Sequence, residues 1–92
     1  METREKTYNG WTNYETWNVK LWLDNEQNSA DDMARMARRT TEAGKLAREI
    51  KDYVQEYSPD LGASMFADLL NAALSEVDWY EIAEAYIKDS AE

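Results

Sequence analysis

The side chains best suited to chemistry in this sequence are carboxylates, and they gather toward its carboxyl-terminal end. Residues 52–92 hold ten acidic residues against a single basic one, Lys88. Carboxylates spaced along one surface can imitate the phosphates of DNA and occupy a basic groove on a nucleic-acid-binding protein. The candidates for such a surface are Glu76, Asp78, Glu81, Glu84 and Asp89. The alternative is a face that only keeps the protein soluble, as most runs of charge do.

Catalysis by these carboxylates is not predicted. The sequence contains no cysteine and no histidine, so it lacks the usual thiol nucleophile, the usual general base and the commonest metal ligand. Asp78 and Glu81 are better explained as helix caps than as a catalytic pair. Asp31 with Asp32 does not have the ligand spacing of a calcium-binding loop. We therefore expect no enzyme activity, no catalytic residue, no metal site and no cofactor.

Basic residues are concentrated in the middle of the chain. Six of the ten lie between residues 33 and 51, namely Arg35, Arg38, Arg39, Lys45, Arg48 and Lys51. Such a strip can contact a phosphate backbone. The formal net charge of −9 opposes this use, because the whole chain repels nucleic acid at long range. The other interpretation is a solvated face, or one paired with the acidic segments on either side, which leaves direct nucleic-acid binding as the less favoured alternative.

Aromatic residues form the third group. Residues 8–22 contain three of the four tryptophans and two of the six tyrosines. Such side chains either fill a core or supply the hot spots of a binding surface. Stacking on nucleic-acid bases is disfavoured, because Lys20 is the one cation in the stretch and stacking platforms need several to hold phosphates. Trp11 or Trp22 is a candidate anchor for a protein partner, and Tyr80 is another.

These residues are positioned by helices. Thr12 followed by Glu15 makes a capping box, which predicts a helix over about residues 13–25. Ser29 is predicted to cap a second helix, with two aspartates in its first turn where they favour the helix dipole. The pattern leaves open whether residues 30–57 form one helix or two.

The second half of the chain has stronger signals. An amphipathic stripe over residues 46–57 predicts a helix that ends before Pro59. Residues 65–74 are apolar almost throughout and predict a short helix at the centre of the fold. Asp78, with Glu81 three residues on, is predicted to cap the last helix.

The expected fold is all-α: a single small domain over residues 1–92, built as a compact bundle of four or five short helices, with residues 1–10 as a flexible arm. No segment alternates with the period of a strand. No apolar run reaches the ~18 residues of a membrane span, and no signal-peptide segment is present, so a cytoplasmic protein without a membrane partner is expected. The predicted core is Tyr14, Trp17, Leu21, Leu46, Ile50, Val54, Phe66, Leu69, Leu70, Leu74, Ile82 and Tyr86.

Two segments of the chain resemble a known family. One is the string Gly-Trp-Thr-Asn-Tyr-Glu-Thr-Trp-Asn-Val at residues 10–19, and the other covers residues 68–84. Both are similar to a family of small acidic proteins carried by bacteriophages, plasmids and bacteria, whose function is largely unknown. The resemblance implies a mobile-element accessory protein in the cytoplasm of a bacterial host, and it implies no activity, ligand or catalytic residue. Small acidic proteins on such elements include inhibitors of CRISPR effectors and restriction enzymes.

The leading hypothesis is a non-enzymatic protein-binding accessory protein of a phage or mobile element. It would inhibit a host nucleic-acid-handling or defence complex, of the anti-CRISPR or anti-restriction type, through an acidic surface that mimics DNA. Its partner would be a host protein or complex with a basic surface. Two alternatives stay open: a nucleic-acid-binding module that uses the strip from Arg35 to Lys51, and a structural protein that self-associates through aromatic or methionine patches.

Overall fold

The computed structural model describes residues 8–91, and these form five helices. In chain order they are α1 (Tyr14–Asn25), α2 (Gln27–Arg38), α3 (Ala43–Tyr57), α4 (Met65–Ser75) and α5 (Trp79–Ala91). The prediction of an all-α, compact small domain is confirmed, with no strand among the described residues. Residues 30–57 belong to two helices, which residues 39–42 separate. No helix within this part of the chain has the length and apolar character needed to cross a bilayer.

A tight turn precedes the first helix. Tyr8 and Trp11 exchange two backbone hydrogen bonds, of 3.0 and 2.7 Å, across Asn9 and Gly10. Both turn residues have positive φ, of 49° and 89°, which asparagine and glycine tolerate best. The predicted flexible arm over residues 1–10 falls mostly outside the described residues, and its last three residues belong to this turn.

Helix α1 begins at Tyr14 because Asn13 is its N-cap. The Asn13 side-chain oxygen accepts from the Thr16 N–H at 2.9 Å. The prediction of Thr12 as the cap was wrong by one residue. The Thr12 N–H instead donates to Glu81 Oε1 at 3.1 Å, so a contact with α5 has replaced the local one.

Helix α2 begins two residues before its predicted cap, and its first turn carries no acidic residue. Ser29 lies inside that turn, where its hydroxyl donates to the carbonyl oxygens of Leu23 at 2.7 Å and Glu26 at 3.2 Å. Ser29 therefore ties the start of α2 to the end of α1 and does not cap the helix. Glu26 occupies the cap position without a side-chain hydrogen bond.

Helix α5 is the central helix. It packs against α1, α2 and α3, and its Ile82 and Ala83 are fully buried. The prediction that the helix over residues 65–74 is central was wrong, because no residue of α4 is buried. Apolar composition shows how much surface a helix is able to bury, whereas the contacts of its neighbours decide which helix is enclosed.

The core was predicted only in part. Its buried hydrophobic residues are Leu23, Met33, Ala37, Leu46, Ala47, Ile50, Val77, Ile82, Ala83 and Tyr86. Of the predicted residues, these four are buried: Leu46, Ile50, Ile82 and Tyr86. Four are half-buried: Trp17, Val54, Leu70 and Leu74. Four are exposed, against the prediction: Tyr14, Leu21, Phe66 and Leu69. Small and flexible side chains, which periodicity weighs lightly, fill much of the remaining core.

Candidate binding surface

Exposed apolar side chains concentrate on and beside α4. Met65, Phe66 and Leu69 are 64%, 62% and 59% exposed, although each belongs to a residue type that globular proteins usually cover. With 3.6 residues per turn, the three project from one side of the helix. We call them the outer face of α4.

The loop before α4 fixes where the helix begins. Helix α3 ends before Pro59, as the sequence predicted, and Ser58 is its C-cap. Gly62 has a φ of 62°, and its N–H donates to Asp60 Oδ1 at 3.1 Å. Ser64 then caps α4 by accepting from the Ala67 N–H at 3.1 Å. The turn and the cap together set the direction in which α4 leaves the loop.

The inner side of α4 is only partly covered. Ala67, Leu70 and Leu74 lie on this side and are half-buried, and Leu74 packs against the core. A polar stripe of Asp68, Asn71 and Ser75 runs along the flank. Helix α4 is therefore apolar on two sides, and the rest of the domain contacts one of them.

A cleft of about 820 Å³ separates α4 from the body of the domain. Its walls include Trp22 of α1 and Tyr57 of α3, which are 60% and 73% exposed. Leu70 and Leu74 line it from the side of α4. A volume of this size lies in the range of clefts that hold ligands, at roughly 300–1,000 Å³. We call Trp22, Tyr57 and the outer face together the α4 surface.

A hydrogen bond between α2 and α3 stabilises one wall of the cleft. The Tyr53 hydroxyl donates to Asp32 Oδ2 at 2.7 Å, and Asp32 also binds Arg35. The Tyr53 hydrogen bond, with the Arg35 guanidinium, holds the pKa of Asp32 below its usual range. Burial, reinforced by the bond to Asp32, raises the pKa of Tyr53 to about 12. Around neutral pH this wall therefore has a charged acceptor and a protonated donor.

A family model matches residues 4–91, and its description is a family of unknown function, DUF7249. This chain belongs to that family. Among curated proteins and solved structures, none matches the chain. The resemblance to a family of unknown function is thereby confirmed at that level, and the family description brings no activity with it.

Two of the five acidic residues predicted for partner binding hold α1 to α5 in this DUF7249 member. Asp78 accepts from the Glu81 N–H at 3.1 Å, which confirms it as the cap of α5. The Asp78 N–H donates to Thr16 Oγ1 at 2.8 Å, and Thr16 is fully buried. Glu81 accepts from the Thr12 N–H. We call these four residues, with Asn13, the α1–α5 junction.

The other three predicted carboxylates are exposed, namely Glu76, Glu84 and Asp89. The backbone carbonyl of Glu76 joins the junction by accepting from Asn13 Nδ2 at 2.7 Å. Glu84 and Asp89 are five residues apart on α5, which separates them by roughly 140° around the helix. The five residues are thus divided between a structural junction and different sides of α5.

The predicted aromatic anchors have different positions. Trp11 is half-buried and packs against the core, with Lys20 Nζ 5.7 Å from its ring centroid. The same ammonium lies 4.5 Å from the Tyr86 ring and 2.6 Å from Asp24. Burial, followed by the hydrogen bond to Asp24, holds the pKa of Tyr86 well above its ordinary value. Tyr80, by contrast, is 52% exposed on α5.

The basic strip is exposed along its whole length. Its members are Arg35, Arg38, Arg39, Lys45, Arg48 and Lys51. The first two lie on α2, Arg39 follows that helix, and the last three lie on α3. Acidic residues interleave with them, since Asp32 binds Arg35 and Asp52 follows Lys51. The strip is accessible, and its local charge is mixed.

The sequence did not point to the α4 surface. Its residues come from three separate parts of the chain, and each part was interpreted by itself. One signal was present: the apolar residues of α4 spread beyond the single stripe of a surface helix. Such a helix is either surrounded by its own chain or covered by another molecule, and the first of these was predicted.

Proposed function

We propose that this protein is a non-enzymatic protein-binding module that holds its partner on the α4 surface. The observation that carries the proposal is a helix with an uncovered apolar face beside a cleft that has exposed aromatic side chains on its walls. Tyrosine and tryptophan are among the residues that contribute most to protein interfaces, and Trp22 and Tyr57 stand exposed on the cleft walls.

The size of the surface supports the proposal. The five side chains are between 59% and 73% exposed. A covered aromatic residue contributes about 150–250 Å², so the α4 surface offers roughly 600 Å². The largest apolar patch on a typical monomer covers about 300–600 Å² and is often functional. The summed exposed area of the five side chains is similar to the upper end of that range.

A photo-crosslinking experiment tests the proposal inside cells. A photoreactive amino acid at Met65 should give discrete crosslinked products, because this side chain lies on the proposed interface. The matched control is the same amino acid at Tyr80, which is also exposed but lies on α5. A Leu69→Glu substitution should abolish the Met65 products. Equal products from both positions, or none from Met65, would refute the proposal.

The inhibitor hypothesis is a separate form of protein binding, in which the partner contacts carboxylates of α5 and not the α4 surface. It has the protein acting in the cytoplasm of a bacterium, as a phage or mobile-element product that blocks a defence complex with a basic surface. The net charge of −9 and the exposure of Glu76, Glu84 and Asp89 support it. Replacing Glu84 and Asp89 together by lysine should then release the partner without changing helical content. Unchanged affinity would count against an acidic interface.

Nucleic-acid binding stays the second candidate, because every member of the basic strip is exposed. Binding of labelled DNA or RNA should then weaken steeply as salt rises. Replacing Arg38 and Arg48 by glutamine should weaken it further. No binding at low salt would remove this candidate.

A further inference from the structure

We infer that the partner on the α4 surface is a second copy of this chain. In this dimer the outer face of α4 in each copy lies against the cleft of the other, about a two-fold axis. The inference rests on the proposed function, and it names the partner.

The α4 surface has the form that a symmetric interface requires. In such an interface one patch meets an identical patch, so it must contain both a projecting part and a receiving part. Met65, Phe66 and Leu69 project from α4, and the neighbouring cleft of about 820 Å³ is the part that would receive the same three side chains of the other copy. The two parts adjoin on α4, because Leu70 and Leu74 line the cleft and Phe66 of the outer face lies one turn before Leu70.

The area reaches the size of a specific interface. Covering the α4 surface of both copies would bury about 1,200 Å² in total, the lower end of specific protein interfaces. The five side chains of the α4 surface are apolar or aromatic and carry no formal charge, whereas Glu26 and Asp32 also line the cleft. The five side chains themselves have the composition that interface centres favour.

Helix α4 has little to stabilise it within the single chain, which favours a partner that is always present. The helix has 11 residues, and none of them is buried. Isolated helices shorter than ~12–15 residues are marginal in water, and most helical stability in proteins comes from packing of an apolar face. A second copy is available whenever the chain itself is made, whereas an unrelated protein is not. A lasting cover for α4 is most simply a second copy of the chain.

The net charge of the chain predicts how dimerisation depends on salt concentration. Each copy carries a net charge of −9, so two copies repel each other, and salt screens that repulsion. Dimerisation of these like-charged copies should therefore strengthen as salt rises. Binding of a basic partner would weaken under the same change.

Light scattering and sedimentation equilibrium on the full chain test the inference. The expected mass is twice the 10.7 kDa of the chain, and the dimer should persist on moving from low to moderate salt. Leu69→Glu should give a folded monomer that loses at most the helicity of the 11 residues of α4, because Leu69 is exposed in the single chain and the other helices pack without it. Tyr80→Glu, which also replaces an exposed apolar residue, should remain a dimer.

A second variant guards against misfolding of the first. Trp22→Ala changes a residue of α1 and no residue of α4. It should raise the Kd of the dimer roughly 30-fold or more, as the loss of a hot-spot residue does. A wild-type monomer at about 100 μM, where even a Kd of that size would give abundant dimer, would overturn the inference. A dimer unaffected by both Leu69→Glu and Trp22→Ala would overturn it equally.

The failure of this inference is distinct from failure of the proposed function. A monomer whose Met65 crosslinks a different protein, with loss of the product in Leu69→Glu, would keep the protein-binding function and remove the second copy. A monomer without crosslinks would remove both.

Discussion

The α1–α5 junction and helix α4 show opposite relations between hydropathy and burial. Thr16, a polar residue, is fully buried in the junction, where its hydroxyl oxygen accepts from the Asp78 N–H at 2.8 Å. Helix α4 is rich in apolar residues, and all of its residues keep some exposure. Burial in this protein follows the contacts that neighbouring helices offer, and a polar group enters the core when its hydrogen bond is met there.

The difference has a consequence for stability. Residues of the junction and of α5 contribute to the folding of the single chain. Residues of the outer face contribute to covering α4 by a partner. Substitutions in the two regions should therefore differ in size and in their dependence on protein concentration.

The largest effect is expected where a central side chain is compared with an outer one. Ile82→Ala should lower the free energy of unfolding by about 2–5 kcal/mol, because Ile82 is fully buried and the shortened side chain leaves a cavity in the core. Leu69→Ala should change it by less than ~0.5 kcal/mol at protein concentrations too low for association. Urea denaturation of both variants at low concentration gives the comparison. Similar losses in the two would mean that α4 belongs to the core of the monomer.

A smaller loss is expected when the buried acceptor is removed. Thr16→Val keeps the shape of the side chain and leaves the Asp78 N–H without the hydroxyl oxygen that accepts from it. The unfolding free energy should fall by about 1–3 kcal/mol, the penalty for an unsatisfied buried group. Thr41→Val is the matched control, since Thr41 is exposed. A loss in Thr16→Val no greater than in the control would show that the junction hydrogen bond contributes little.

The two helix caps provide a closer test. Asp78 caps the central helix α5, and Ser64 caps α4 through its bond to the Ala67 N–H. Asp78→Ala should destabilise the chain by about 1 kcal/mol, as loss of an N-cap usually does. Ser64→Ala should instead lower far-UV helicity with little change in the urea midpoint of a dilute sample. The reverse pattern would contradict the division between the regions.

The smallest effect expected is on pH dependence, through Tyr53 and Asp32. The pKa of Asp32 is lowered in the fold, so its stabilising effect is present above its unfolded pKa and is lost as pH falls through the folded one. The pKa of Tyr53 is raised from 10 to about 12, so its effect is present below pH 10 and is lost between pH 10 and 12.

Tyr53→Phe should therefore reduce the loss of stability at both the acid and the alkaline end. Urea midpoints across the pH range measure this, and tyrosinate absorbance follows the alkaline step. Tyr80→Phe is the control, because Tyr80 is exposed and lies on another helix. Identical pH profiles for wild type and Tyr53→Phe would show that the hydrogen bond has no effect on stability.

Local signals were sufficient for much of the fold. The span of α1, the end of α3 before Pro59 and the cap at Asp78 were all predictable, because each depends on residues within one turn of the chain. The cap of α1 was misplaced because Thr12 makes a contact 69 residues away, which no local pattern records. The same limit applied to the identity of the central helix.

Less of the candidate site than of the fold could be predicted from the sequence. Asp78 and Glu81 were predicted both as caps and as partner-binding carboxylates, and the structure places them in the α1–α5 junction. The cleft joins Trp22, Tyr57 and Leu70, which are far apart in the chain. Its existence depends on the angle at which α4 leaves its loop, and periodicity carries no information about that angle.

Amide hydrogen exchange of α4 compared with α5, at two protein concentrations, tests most directly whether a partner copy covers α4. Exchange reports local opening, and helices without buried contacts open easily. We predict that α4 amides are protected at high concentration and lose protection on dilution and in Leu69→Glu, while α5 stays protected throughout. Protection of α4 that is independent of concentration and unchanged by Leu69→Glu would contradict the account.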